Sequence, residues 1–100
     1  MHYLLFYDYA SDYLERRETF RIEPLTLAWR SHARGELILG GAVVDPVDGA
    51  VLLFEGDSSQ VVDAFVAADP YIRHGLVTRW HVWPWHTVVG GHASTPVRVD

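Results

Sequence analysis

The chain has 100 residues, of which 49% are hydrophobic, and a formal net charge of −5 carried by eight Arg and no Lys against thirteen acidic residues. This is the length of one domain with enough apolar mass for a core of its own. The absence of cysteine excludes disulfides, thiolate metal sites and a Cys nucleophile. A nucleic-acid binder needs a basic footprint to neutralise phosphates. Here Arg16, Arg17, Arg21, Arg30 and Arg34 are interleaved with Glu15, Glu18, Glu23 and Glu36, the pattern of a solvated helix surface. No nucleic-acid partner is expected. The apolar runs are too short to span a bilayer. The opening Met1-His2-Tyr3-Leu4-Leu5-Phe6 has neither the basic lead nor the small-residue cleavage site of a signal peptide. A soluble cytoplasmic protein without a membrane partner is the expectation.

In chain order, residues 2–9 are aromatic and branched with apolar residues on both faces, which predicts a central strand. Residues 12–34 predict a helix, with Asp12 as its cap and an apolar stripe at Leu25, Ala28, Trp29 and His32, spaced i, i+3, i+4 and i+7. Gly35 is the predicted stop. Residues 36–44 and 50–55 predict two strands of a hairpin turned at Asp48-Gly49 within the run Asp45-Pro46-Val47-Asp48-Gly49. A second helix, capped by Asp57 or Ser58, carries Val61, Val62, Ala64, Phe65 and Ala68 and ends at Ala68 or Asp69. Residues 76–85 predict the last strand, with Pro84 near its end, where a lost donor is tolerated.

The order β-α-β-β-α-β predicts an α+β, ferredoxin-like domain with a four-stranded antiparallel sheet and both helices on one face. Strict alternation along the last strand puts Leu76, Thr78, Trp80 and Val82 on one side and Val77, Arg79, His81, Trp83 and Trp85 on the other. Both sides carry large apolar groups. Four Trp in so small a chain exceed what one helix layer covers, so a second subunit against the open sheet face is predicted, as a two-fold sheet-to-sheet homodimer. The domain is expected over residues 1–90. Residues 91–100 have the composition of a flexible tail, or of a segment laid along the partner.

Asp69-Pro70 stands out chemically. A carboxylate at a helix C-terminus faces the partial negative charge of the last carbonyls, and a residue set against a local rule points to function. Asp-Pro is equally an ordinary stop-and-turn pair.

Gly40-Gly41 closing the second strand, Asp69-Pro70-Tyr71, Gly75-Leu76-Val77 and the closing Trp80…Pro84-Trp85 together resemble the YciI-like proteins, the YCII-related domain family, over about residues 1–90. The resemblance implies a ferredoxin-like domain that dimerises through its sheets. It also implies a site pairing a His, in an Arg-x-x-His-Leu context on the first helix, with the Asp of Asp-Pro-Tyr, and cofactor-free acid–base chemistry of the dehydrochlorinase kind in at least one relative. Arg21, Leu25 and Asp69 match that pattern. Pro24 stands where the pattern has His. Proline holds no proton, removes a backbone donor and crowds the carbonyl four residues back, so the first helix is expected to break or bend within residues 20–24, or to start afresh at Pro24.

The site reading is therefore Asp69 as proton acceptor, Arg21 as anion anchor and His74 as an auxiliary acid–base group, with Tyr71 and Pro24 lining a small-molecule cleft. Arg21 is expected inward, paired with Asp69 or Glu23. His32 reads as a satisfied, partly buried histidine, and His81 with Arg79 as part of an interface or a pocket wall. The six His show no metal-ligand spacing, Gly40-Gly41 lacks the Lys-Ser/Thr of a phosphate loop, and no nicotinamide or flavin fingerprint is present. No metal and no cofactor are expected. The alternative is a non-catalytic, dimeric ligand-binding or interaction module.

Overall fold

The computed structural model describes residues 1–99. Its elements run β1 (His2–Tyr9), α1 (Tyr13–Phe20), α2 (Ile22–Ala33), β2 (Leu37–Val43), β3 (Gly49–Glu55), α3 (Gln60–Ala68), α4 (Pro70–Arg73) and β4 (Val77–Trp85). The strands form one antiparallel sheet in the order β2-β3-β1-β4, with β1 between β3 and β4. This is the ferredoxin-like α+β arrangement, and β1 is interior as its two-sided apolar pattern predicts.

The first helix is two helices. Pro24 has no N–H to give to the Phe20 carbonyl, and α1 ends at Phe20. α2 then begins at Ile22, placing Pro24 third in the new helix, where the N–H would have no intrahelical partner anyway. Leu25 N–H is the first to bond back, to Arg21 O at 3.2 Å. Asp12, expected to cap, makes no side-chain cap bond and pairs instead with Arg16 one turn on, at 3.7 Å. α2 stops at Gly35, whose φ of +81° suits a residue without Cβ. Gly35 N donates to His32 O and Glu36 N to Ser31 O, the paired bonds of a Schellman stop.

The β2–β3 turn differs from expectation. It is made by residues 44–47, with Asp45 at φ 66° and a cis Asp45–Pro46 bond, while Gly49 already belongs to β3. Gly49 lies so close under the Tyr7 carbonyl of β1 that a side chain there would collide with backbone. A register irregularity between Asp8 and Tyr9 pairs Tyr9 with Val77, which breaks the predicted alternation of β4 and sends Val77 into the core beside Leu76.

On the helix-covered face, Tyr3, Leu5 and Tyr7 of β1 and Leu52 and Phe54 of β3 are buried, closed from above by Val62 and Phe65 of α3. Phe54 and Phe65 meet edge to face at 5.2 Å. The opposite face is apolar and open: Phe6, Leu39, Val43, Trp83 and Trp85 are all exposed, Leu39 by 72% and Trp83 by 59%. At one end of that face His2 is buried, with Nδ1 2.7 Å from Thr87 Oγ1 and Nε2 2.8 Å from Glu55 Oε2. Ser94 N donates to Thr87 Oγ1, and Thr95 N and Val97 N donate to the Thr87 and Val88 carbonyls, so the segment after β4 folds back on itself. No helix among the described residues is long and apolar enough to cross a membrane.

Candidate functional site

A cleft of about 580 Å³ lies between α2 and the β1–β3–β2 side of the sheet. Its roof is the stripe Leu25, Ala28, Trp29 and His32 of α2. That stripe was expected to face the core. Instead Pro24 and Ser31 turn inward, while Trp29 stays 67% exposed. The floor opposite is made of small residues: Gly40, Gly41 and Ala42 of β2 and Ala50 of β3. A helical stripe with so little beneath it leaves space rather than contact.

Asp69 closes one end of the cleft and is 2% exposed. Asp69 is the C-cap of α3, as expected, with its N–H donating to Val66 O, and the structure adds a second role that the sequence reading lacked. α3 ends at Ala68, and Pro70 immediately opens the short helix α4, with Asp69 as N-cap accepting from Tyr71 N at 2.9 Å. The carboxylate therefore sits at the favourable end of a helix, and Pro70 fills the first position, which proline prefers. Its other oxygen accepts the Tyr7 hydroxyl at 2.5 Å. Burial raises the Asp69 pKa above the usual carboxylate range, against the opposing pull of the Tyr7 and Tyr71 N hydrogen bonds and of Arg73. Tyr7 is itself pushed up by burial and by the neighbouring Asp69 charge.

Three more tyrosines surround this end. Tyr9 and Tyr13 stack with centroids 3.6 Å apart, and Tyr13 meets Tyr71 edge-on at 5.6 Å. Burial raises Tyr9. Burial and the neighbouring Tyr13 push Tyr71 up to about 12, with Arg21 pulling the other way. The hydroxyls of Tyr7, Tyr9 and Tyr71 are thus proton donors across the neutral range.

The structure brings Asp69, Arg21, Tyr71 and Pro24 onto one cleft, together with Arg17. Arg21 differs from expectation in its partner. Asp69 is engaged by Tyr7 and Tyr71 N, and Glu23 pairs with Arg73 at 3.7 Å. Among the described residues no carboxylate lies within ion-pair distance of Arg21, which leaves its guanidinium to the cleft. His74 does not join them: its ring stacks on Phe20 at 4.4 Å, and its carbonyl accepts from Arg16. His81 lies on the open sheet face, opposite Phe6 in the register.

Tyr7, Tyr9, Tyr13, Trp29 and His32 are cleft residues that motif reasoning missed. The two-residue spacing of Tyr7 and Tyr9 was the available signal, since it places both on one face of a strand. His32, read as partly buried, is exposed and faces the cleft, with Nδ1 bonded to Leu37 O at 2.8 Å. Among the described residues no three His, Asp or Glu side chains converge as a metal site would require.

No curated protein sequence matches the chain. Among solved structures, 5-chloro-2-hydroxyhydroquinone dehydrochlorinase (TftG) from Burkholderia phenoliruptrix AC1100, in complex with 2,5-dihydroxybenzoquinone, is similar with a TM-score of 0.72 and 21% identity, covering 94% of this chain and 100% of that one. A NIPSNAP family protein from Agrobacterium tumefaciens is similar at a TM-score of 0.50 and 13% identity, over 82% of this chain and 87% of that one. These likenesses show the fold. The model of the YCII-related domain matches residues 1–86, every element described above, and the chain belongs to that family.

Proposed function

We propose that the cleft binds an acidic aromatic molecule, a phenol or hydroxyquinone, and that Asp69 takes its proton. The observation that carries this reading is the Asp69–Tyr7 pair. A buried carboxylate with a raised pKa sits at the end of an aromatic cleft whose rim holds the guanidinium of Arg21. A base with a raised pKa is better matched to proton transfer near neutral pH. In this reading the ligand hydroxyl gives its proton to Asp69, Tyr7 keeps its hydrogen bond to the same carboxyl group, and Arg21 pairs with the ring oxyanion. For a ligand held in its keto form, with the halogen on an sp³ ring carbon allylic to the ionised enol, the oxyanion pair forms the carbonyl. The enol C=C pair makes the new double bond to the halogen-bearing carbon, and the carbon–halogen bond breaks as halide leaves. The net loss of HX is redox-neutral and needs no cofactor. The similarity to a dehydrochlorinase with a dihydroxybenzoquinone bound supports the ligand class.

Pro24, standing at the position that the family resemblance gives to histidine, favours a second reading in which the same cleft binds without turnover. Native protein and Pro24→His are to be titrated with 2,5-dihydroxybenzoquinone and assayed for chloride release from chlorinated hydroquinones. Turnover by the native protein supports Asp69 as a sufficient base. Binding by both with turnover only after Pro24→His supports the silent site. Binding by neither sinks the cleft.

We also infer that a second copy covers the open sheet face. Support comes from the band of Phe6, Leu39, Val43, Trp83 and Trp85, an apolar surface that isolated soluble domains rarely present. Sedimentation at micromolar concentration checks it, and a monomer rejects it.

A further inference from the structure

The cleft has a second polar end. We propose that its ligand is longer than one ring, and that His32 receives a hydrogen-bond donor at the ligand's far end. The inference rests on the reading of Asp69 as the near-end base and deepens it by naming the ligand's shape.

Three observations carry it. A dry cavity of about 150 Å³ already holds one benzene ring, whereas this cleft measures about 580 Å³. Arg21 and Pro24 lie at the start of α2 and His32 at its end, all three on the cleft. Eight residues separate Pro24 from His32, which is about 12 Å along a helix rising 1.5 Å per residue. A single ring near Asp69 does not reach His32.

The chemistry along that length is bipartite. Between the two ends the walls are Leu25, Ala28 and Trp29 above and Gly40 and Gly41 below, with no charge among them. A carbonyl only accepts, so the 2.8 Å contact to Leu37 O places the proton of the neutral His32 ring on Nδ1. That bond ties the ring to the start of β2 and leaves the Nε2 lone pair unengaged, ready to accept from a ligand. Trp29 stands edge-on to the same ring at 5.4 Å and limits its swing. The ligand class that fits is a linear, two-ring aromatic with an acidic hydroxyl at one end, a flat apolar middle and an O–H or N–H at the other.

The test uses three probes by calorimetry: phenol, para-hydroxybiphenyl and para,para′-dihydroxybiphenyl. The diol is expected to bind native protein about three- to tenfold more tightly than the mono-ol, the yield of one net hydrogen bond. Phenol is expected to bind most weakly. His32→Asn sets an amide nitrogen where Nδ1 was, keeps the bond to Leu37 O and deletes Nε2. It should erase the diol's advantage, read as the ratio of diol to mono-ol affinity within the same variant. His32→Gln returns a polar atom to the Nε2 position and should restore part of the advantage. Equal binding of the two biphenyls, a diol advantage that survives His32→Asn, or phenol binding as tightly as para-hydroxybiphenyl overturns the proposal. Binding of phenol but neither biphenyl overturns it too, because the far half of the cleft is then filled by something else, a second copy of the chain included. If Asp69→Asn leaves every affinity unchanged while the His32 effect holds, the near-end base assignment fails and the second pole stands.

Discussion

Helices α2 and α3 lie on the same sheet face, yet α3 buries its large apolar residues whereas α2 seats only Pro24 and Ser31 and leaves Leu25 and Trp29 exposed. α3 presses Val62 and Phe65 onto Phe54, and all three are buried. α2 carries an equally regular apolar stripe, but Leu25 and Trp29 hang over Gly40, Gly41, Ala42 and Ala50 and remain exposed. The difference lies in the strands. A large residue below turns a helical stripe into core, and a small one turns it into a cleft.

The sharpest way to break this comparison is on the α3 side. Phe54→Ala should cost about 3–5 kcal/mol of stability in chemical denaturation, because the cavity it leaves is walled in. A loss below about 1 kcal/mol would mean that the α3 side is no better packed than the cleft.

Next in size is Tyr7→Phe. It removes a hydrogen bond to a carboxylate, worth about 1.5–3 kcal/mol when the acceptor is charged. Burial holds the folded pKa of Asp69 above its unfolded value, and the Tyr7 bond pulls it back down. A carboxyl with a raised folded pKa gives stability that is full below the unfolded pKa and is lost as pH rises through the folded one. Without Tyr7 the folded pKa climbs further, so the variant loses more than native protein does over that window. The penalty should be small in acid and greatest at neutral pH and above. Denaturation midpoints across pH check it, and a penalty independent of pH contradicts the pairing.

The smallest expected stability effect is Trp29→Ala. Its side chain is largely exposed, so the change should stay within about 0.5 kcal/mol, while affinity for two-ring phenols falls. A stability loss comparable to that of Phe54→Ala would show the Leu25–Trp29 stripe to be packed after all.

Much of this architecture was legible in the sequence. The two-sided pattern of residues 2–9 gave the interior strand, Pro24 the helix break, Gly35 the stop, and Gly40-Gly41, Asp69-Pro70-Tyr71, Gly75-Leu76-Val77 and Trp80…Pro84-Trp85 together the family. What escaped depended on partners distant in sequence. The period of α2 identifies an apolar stripe but not the residues across from it. Asp69 looked misplaced because the four-residue helix that it caps has too few residues to show a period. Val77 was assigned to the wrong face because a one-residue irregularity reverses everything beyond it. His32 looked buried because its stripe did.

The tryptophans are distributed in a way that makes the molecule its own instrument. Trp29 overhangs the cleft, whereas Trp83 and Trp85 stand on the opposite side of the sheet. A variant keeping only Trp29 would report by its emission on guests entering the cleft, and one keeping only Trp83 would report on self-association. Occupancy and assembly thus become separately readable by fluorescence, without any attached dye.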